Sequence, residues 1–108
     1  ATGFIGSRLV VMARDAGFEV VATGAINNPV EGDRRETLAR AGVDVAIGSL
    51  VSGDLAARMT RGCDAIIHLA AAQHEAHLDD EHFRRVNVEG TRLLVQAAVA
   101  AGVRRFGR

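Results

Sequence analysis

The sequence predicts an α/β protein: a parallel sheet with helices on both faces. Three observations carry this. Segments with helical spacing of apolar residues alternate with short Val- and Ile-rich runs along the chain. One of those runs, CDAIIHLAAA, is almost wholly apolar, as a strand buried on both faces must be. Glycines close the helical stretches and mark the turns between them.

The first element, residues 3–17, reads as a helix because Ile5, Leu9, Met12 and Ala13 recur at helical spacing and Gly17 stands where a C-cap would. FEVVAT (18–23) follows as a short Val-rich strand. Residues 24–33, with two glycines, the lone Pro29 and paired Asn, read as a loop. A short helix over 34–42 closes on Gly42, and residues 43–50 alternate as a strand. Ser52 caps a helix over 52–62, with Leu55 and Met59 one turn apart. The apolar run 63–72 is the next strand, and 73–80 is a polar loop. Residues 80–102 form one long helix, with Phe83, Val86, Leu93 or Leu94, Ala97 and Ala101 on a broad face. VRRF (103–106) begins another strand. The alternation lacks a strand before the first helix.

Length and composition narrow the function. The 108 residues suffice for one small domain. Thirteen basic residues, all Arg, balance thirteen acidic ones. That zero net charge argues against a nucleic-acid or anionic-membrane partner, which needs a basic excess. Cys63 is the single cysteine, so no internal disulfide forms and a reducing, cytoplasmic compartment is expected. No stretch reaches the roughly 18 apolar residues of a membrane span. There is no Lys, Tyr or Trp.

The opening ATGFIG is a glycine-rich turn into a helix. Such a turn lets backbone approach a phosphate closely, and the helix N–H groups and macrodipole face the negative charge. Gly3 permits the approach and Gly6 permits tight packing on a sheet. The hexapeptide alone reads equally as an ordinary capped turn.

The surroundings decide more. ATGFIG resembles the end of the TGxxGxxG fingerprint of the extended short-chain dehydrogenase/reductase family, the NAD(P)-dependent epimerases and dehydratases. GCDAIIHLAAA resembles that family's fourth strand, RVNVEGTRLLVQAA the following helix with its N-V-x-G-T signature, and VRRF the lead into the fifth strand. The resemblance covers essentially the whole chain in order and spacing. It implies a partial NAD(P)-binding Rossmann domain over residues 1–108, lacking the first strand and everything after the fourth helix. The chain then starts in mid-motif and is an internal fragment of a longer enzyme. The resemblance further implies a catalytic Tyr, a Lys four residues on, and a Ser or Thr, all beyond residue 108. No Tyr or Lys exists here, so this chain alone is expected to be inactive. Without the first strand, strands 18–23 and 63–72 each face an unpaired edge or pair directly.

The implied function is the cofactor-binding part of an epimerase, dehydratase or reductase acting on a nucleotide sugar or a related carbonyl or hydroxyl substrate. A non-catalytic, redox-sensing NAD(P)-binding module is the alternative. Gly3, Phe4, Ile5 and Gly6 match the phosphate turn, with backbone N–H groups donating and the two side chains mostly packed. The second strand ends in Thr23, Gly24 and Ala25, neither acidic nor Arg, so NAD and NADP both stay open. Arg34 and Arg35 either reach a 2′-phosphate or are solvated first-turn residues of a helix. Gly48, Ser49 and Leu50 stand where the family has Gly-Asp-Leu, making Ser49 a weaker acceptor for adenine. Leu69, Ala70 and Ala71 match the strand end beside the ribose and nicotinamide, and they also suit plain sheet packing.

Asn87 matches the helix Asn that supports the active site. His74, His77 and His82, with Glu75, Asp79, Asp80 and Glu81, read less as a metal site than as a loop beside the substrate. His68 reads as a core or helix-packing histidine. The expected partners are a dinucleotide, a small-molecule substrate and a second copy of the full-length protein, docked through the long helix.

Overall fold

In the computed structural model, residues 1–49, 51–70 and 80–107 are described. They form two compact units, Ala1–Gly48 and Ser49–Arg108. Each contains a parallel two-stranded ladder with a helical crossover between its strands, the expected α/β pattern.

The first unit runs α1 (Phe4–Asp15), β1 (Ala22–Gly24), α2 (Pro29–Arg40), β2 (Val45–Ile47). β1 and β2 pair in parallel, Ala22 opposite Val45 and Gly24 opposite Ile47. The core is Val10, Ala22, Leu38, Val43 and Val45, with Val11 and Val20 packed against it. Gly17 and Gly42 take left-handed conformations after α1 and α2, at φ 95° and 88°, as their positions suggested.

Three elements differ from expectation, the simplest being the strand expected over 43–50, which narrows to Val45–Ile47. FEVVAT joins the ladder only at Ala22, and the Phe18 N–H bonds the Ala13 carbonyl at the end of α1. Phe18 and Val21 are exposed. α2 starts five residues before the expected 34, inside the supposed loop. Pro29 opens its first turn, where no intrahelical N–H is needed. Asn28 accepts from the Glu31 N–H at 2.9 Å, and the Glu31 carboxylate accepts from the Asn27 N–H at 2.6 Å.

Residues 1–2 run beside β1. The Ala1 nitrogen donates to the Thr23 carbonyl at 2.5 Å, and Thr2 Oγ1 donates to the Ala25 carbonyl at 2.6 Å. A Cβ on Gly24 would lie 2.9 Å from Thr2 Oγ1 and 3.1 Å from the Ala1 nitrogen. Gly24→Ala is therefore expected to cost about 1–3 kcal/mol through overpacking, read as a lowered denaturation midpoint. An unchanged midpoint would show that the turn yields freely.

The second unit runs α3 (Gly53–Thr60), β3 (Ala65–Ile67), α4 (Asp80–Arg84), a π-helical turn (Arg85–Glu89), α5 (Gly90–Ala101) and β4 (Arg105–Gly107). β3 and β4 pair in parallel, Ala65 opposite Arg105 and Ile67 opposite Gly107. So β1 takes β2 and β3 takes β4 as ladder partner, and direct pairing of β1 with β3 is not found among the described residues. Ser52 caps α3 as expected, accepting from the Leu55 N–H at 3.4 Å.

The expected two-sided burial of β3 is not found: Ile66 is half-buried and Ile67 is 59% exposed. Burial in this unit is concentrated on α3 and α5, at Leu55, Ala56, Thr60 and Ala98. Thr60 Oγ1 donates to the Ala56 carbonyl at 2.8 Å. The long helix is interrupted by the π-helical turn, which periodicity alone does not reveal. Among the described residues no helix is long and apolar enough to cross a membrane.

Candidate dinucleotide-binding site

The N-terminus of α1 differs chemically from those of α2 and α3. Asn28 and Ser52 cap α2 and α3 with their side chains, and both helices carry an acidic residue in the first turn. α1 begins at Gly3 with neither a capping side chain nor a first-turn acid. Its leading N–H groups therefore have no capping side chain, and the positive end of its dipole has no first-turn acid beside it.

Gly3 is not required by the protein's own packing. Its φ of −72° suits any residue, and a Cβ there would meet nothing within 4 Å. Gly6 is tightly placed: its Cβ would lie 3.2 Å from Ala1 Cα and 3.4 Å from the Ala1 carbonyl oxygen. The turn therefore pairs one glycine that packs with one that leaves open space.

Phe4 and Ile5 correct an expectation, for they are 57% and 66% exposed instead of packed. The Arg8 guanidinium covers the Phe4 ring at 4.1 Å from its centroid, a cation–π contact that gives this exposed ring a partner. The helical spacing of Phe4 and Arg8 was the signal for it.

Arg34 and Arg35 part company. Both lie in the second turn of α2, because that helix begins at Pro29. Arg34 turns toward the opening residues, its Nη1 donating to the Thr2 carbonyl at 3.3 Å, with its guanidinium 5.9 Å from the Phe4 ring. Arg35 is exposed. Between α1 and α2 lies a groove of about 470 Å³ lined by Ser7, Arg8, Val11, Met12, Arg34, Thr37 and Leu38. Neither Arg8 nor Arg34 forms an ion pair with a carboxylate among the described residues.

The other expected residues belong to the second unit. Ser49 is exposed, and its Oγ accepts from the Val51 N–H at 3.3 Å, so part of its acceptor capacity serves the local turn. Leu69 and Ala70 are exposed just past the C-terminal end of β3, where ligands bind in open parallel sheets. Asn87 lies in the middle of the π-helical turn. Leu50 and Ala71 lie outside the described residues, as do His74, Glu75, His77 and Asp79 of the loop expected beside the substrate. Asp80 and Glu81 occupy the first turn of α4, where acids suit the helix dipole.

His68 is the buried core histidine the sequence suggested, at 4% exposure. Sequence reasoning missed its partner: Nε2 lies 3.0 Å from Thr91 Oγ1, which donates to the Asn87 carbonyl at 2.7 Å. The four-residue spacing of Asn87 and Thr91 hinted at the second bond; nothing hinted at the first.

Residues 1–107 match the sequence profile of the NAD dependent epimerase/dehydratase family. The chain belongs to that family. It is 34% identical over 104 residues to a putative dihydroflavonol 4-reductase of Synechocystis sp., covering 96% of this chain and 29% of that protein. It is 32% identical over 111 residues to a 3-beta-hydroxysteroid dehydrogenase of Mycolicibacterium neoaurum, covering 97% and 28%. The fold matches DesIV, a dTDP-glucose 4,6-dehydratase from Streptomyces venezuelae solved with NAD and TYD bound. The TM-score is 0.76 at 32% identity, over 97% of this chain and 35% of that one.

The chain thus spans under a third of the length of these curated relatives. As a member of the epimerase/dehydratase family it has a turn that fits the family's dinucleotide. Open space stands at Gly3, uncapped N–H groups lie behind it, and no acid sits in the first turn.

Proposed function

We propose that this chain is the dinucleotide-binding part of a short-chain dehydrogenase/reductase of the epimerase/dehydratase type. The whole protein acts on a nucleotide sugar or a related carbonyl or hydroxyl substrate. The observation that carries the reading is the start of α1 at Gly3, free of capping side chain and acid. The N–H groups of Phe4, Ile5 and Gly6, with the helix dipole, hold the pyrophosphate. Ser49 and Leu50 serve the adenine end. Leu69, Ala70 and Ala71 border the ribose and nicotinamide, and Asn87 supports the reacting centre.

The bound dinucleotide supplies hydride chemistry. The family resemblance implies that a Tyr-Lys pair handles the proton, and these 108 residues contain neither Tyr nor Lys. We infer that they bind cofactor without turnover. The exposed Val88 of the π-helical turn and Val95 and Val99 of α5 support a homodimer contact through this segment in the whole protein. The lone free Cys63 supports a reducing, cytoplasmic setting.

Calorimetric titration of the full-length protein with NAD and with NADP tests the reading, which fails if neither binds. Arg34→Ala separates the two cofactors. Arg34 is the one of the paired arginines turned toward the opening turn. Taking its guanidinium away from the 2′-phosphate is expected to weaken NADP binding about tenfold, or ~1.4 kcal/mol. NAD affinity is expected to stay within about twofold. An equal loss for both would assign Arg34 to the fold alone.

A further inference from the structure

We propose that His68 and Thr91 are positioning residues that set the π-helical turn carrying Asn87, through a hydrogen-bond chain of fixed direction. The proposal rests on the reading above, in which Asn87 supports the reacting centre.

The direction follows from proton counting. A threonine hydroxyl has one proton, and a carbonyl oxygen only accepts. Thr91 Oγ1 donates to the Asn87 carbonyl at 2.7 Å. His68 Nε2, 3.0 Å from that same hydroxyl oxygen, must then be the donor. The imidazole therefore carries its proton on Nε2, and the chain runs from His68 through Thr91 to Asn87.

One end of the chain is anchored firmly. The His68 N–H donates to the Gly107 carbonyl at 2.9 Å, continuing the β3–β4 ladder, and its ring lies 6.2 Å from that of Phe106. The ring is buried, so water does not compete for Nε2. The other end needs holding. Gly90 N–H bonds the Arg85 carbonyl five residues back, the wide spacing of a π-turn. Such turns are rare and interrupt the regular ladder. Thr91 supplies a side-chain donor to a carbonyl within this one, and His68 fixes Thr91 to the strand. The depth and rotation of Asn87 relative to the end of β3 are thereby set by these two side chains.

The test uses the full-length protein. Thr91→Val keeps the shape and removes the hydroxyl; Thr91→Ser restores it. Thr91→Val is expected to lower kcat about 10- to 100-fold, the scale of an ångström-level misplacement, with the dinucleotide KM held within about twofold. Thr91→Ser is expected to recover kcat to within about threefold. Nitrogen-15 NMR of His68 in the unaltered protein is expected to show the proton on Nε2, a readout that needs no variant to fold.

A proton confined to Nδ1 would overturn the proposal. So would an unchanged kcat in Thr91→Val, or a Thr91→Ser variant as impaired as Thr91→Val. If the unaltered protein binds no dinucleotide, the functional reading fails by itself, and the tautomer measurement still decides the hydrogen-bond chain.

Discussion

Gly3→Asp is expected to make the protein slightly more stable and to abolish tight dinucleotide binding. The two effects have one cause. An Asp at this N-cap position accepts from the orphan N–H groups of the first turn of α1 and places a negative charge at the positive end of the dipole. The better cap is worth a few tenths of a kcal/mol over glycine, and the dipole adds about 0.3–1 kcal/mol. No steric penalty offsets this, since a Cβ on Gly3 meets nothing within 4 Å and the backbone there suits any residue. The same carboxylate occupies the donors needed by a pyrophosphate and repels it. A loss of about 100-fold in affinity, or ~2.7 kcal/mol, is expected. Thermal melts and titration with NAD on the same preparation read the two signs together. A variant that binds NAD as before would dismiss this turn as the phosphate site.

Leu38→Ala is expected to be the most damaging of the core truncations. Leu38 is 1% exposed and stands among Val10, Ala22, Val43 and Val45, the core of the first unit. Truncating a buried leucine costs about 2–5 kcal/mol, depending on how far the site collapses. That is a large share of the roughly 5–15 kcal/mol that holds a domain together. Leu38 also lines the groove between α1 and α2, so collapse there would draw the two helices together. Urea denaturation is expected to show a lower midpoint with an unchanged slope. A cost below about 1 kcal/mol would mean that the groove already lets this core relax.

The parts of the fold legible in the sequence were those with local causes. Helix termini read correctly where a cap was present, as at Ser52, Gly17 and Gly42, because capping depends on residues within one turn. The start of α2 has local causes too, in Asn28, Pro29 and Glu31, but two glycines, a proline and paired Asn suit a loop equally well. The exposure of β3 and of Phe4 was not legible, since apolar character says what a residue prefers and not what it finds as a neighbour. The glycine-rich opening turn was legible as a pattern, yet its two glycines look alike in sequence. Only packing separates Gly6, pressed against Ala1, from Gly3, beside open space. The His68–Thr91 contact joins residues 23 apart, and no local rule reaches that far.

The close approach at Gly24 constrains how this protein could be re-engineered or could evolve. Dinucleotide enzymes of this architecture choose their cofactor at the end of the second strand, where an acid selects for a free ribose and an Arg for a phosphorylated one. Here that end is closed at Gly24, because Thr2 and Ala1 fill the volume a side chain would need. A carboxylate grafted at Gly24 would register as lost stability before it registered as altered preference. The adaptable position is Ala25, one step on, which already has a Cβ and gives only its carbonyl to Thr2. Drift in cofactor use is therefore channelled to Ala25 and to Arg34 across the turn.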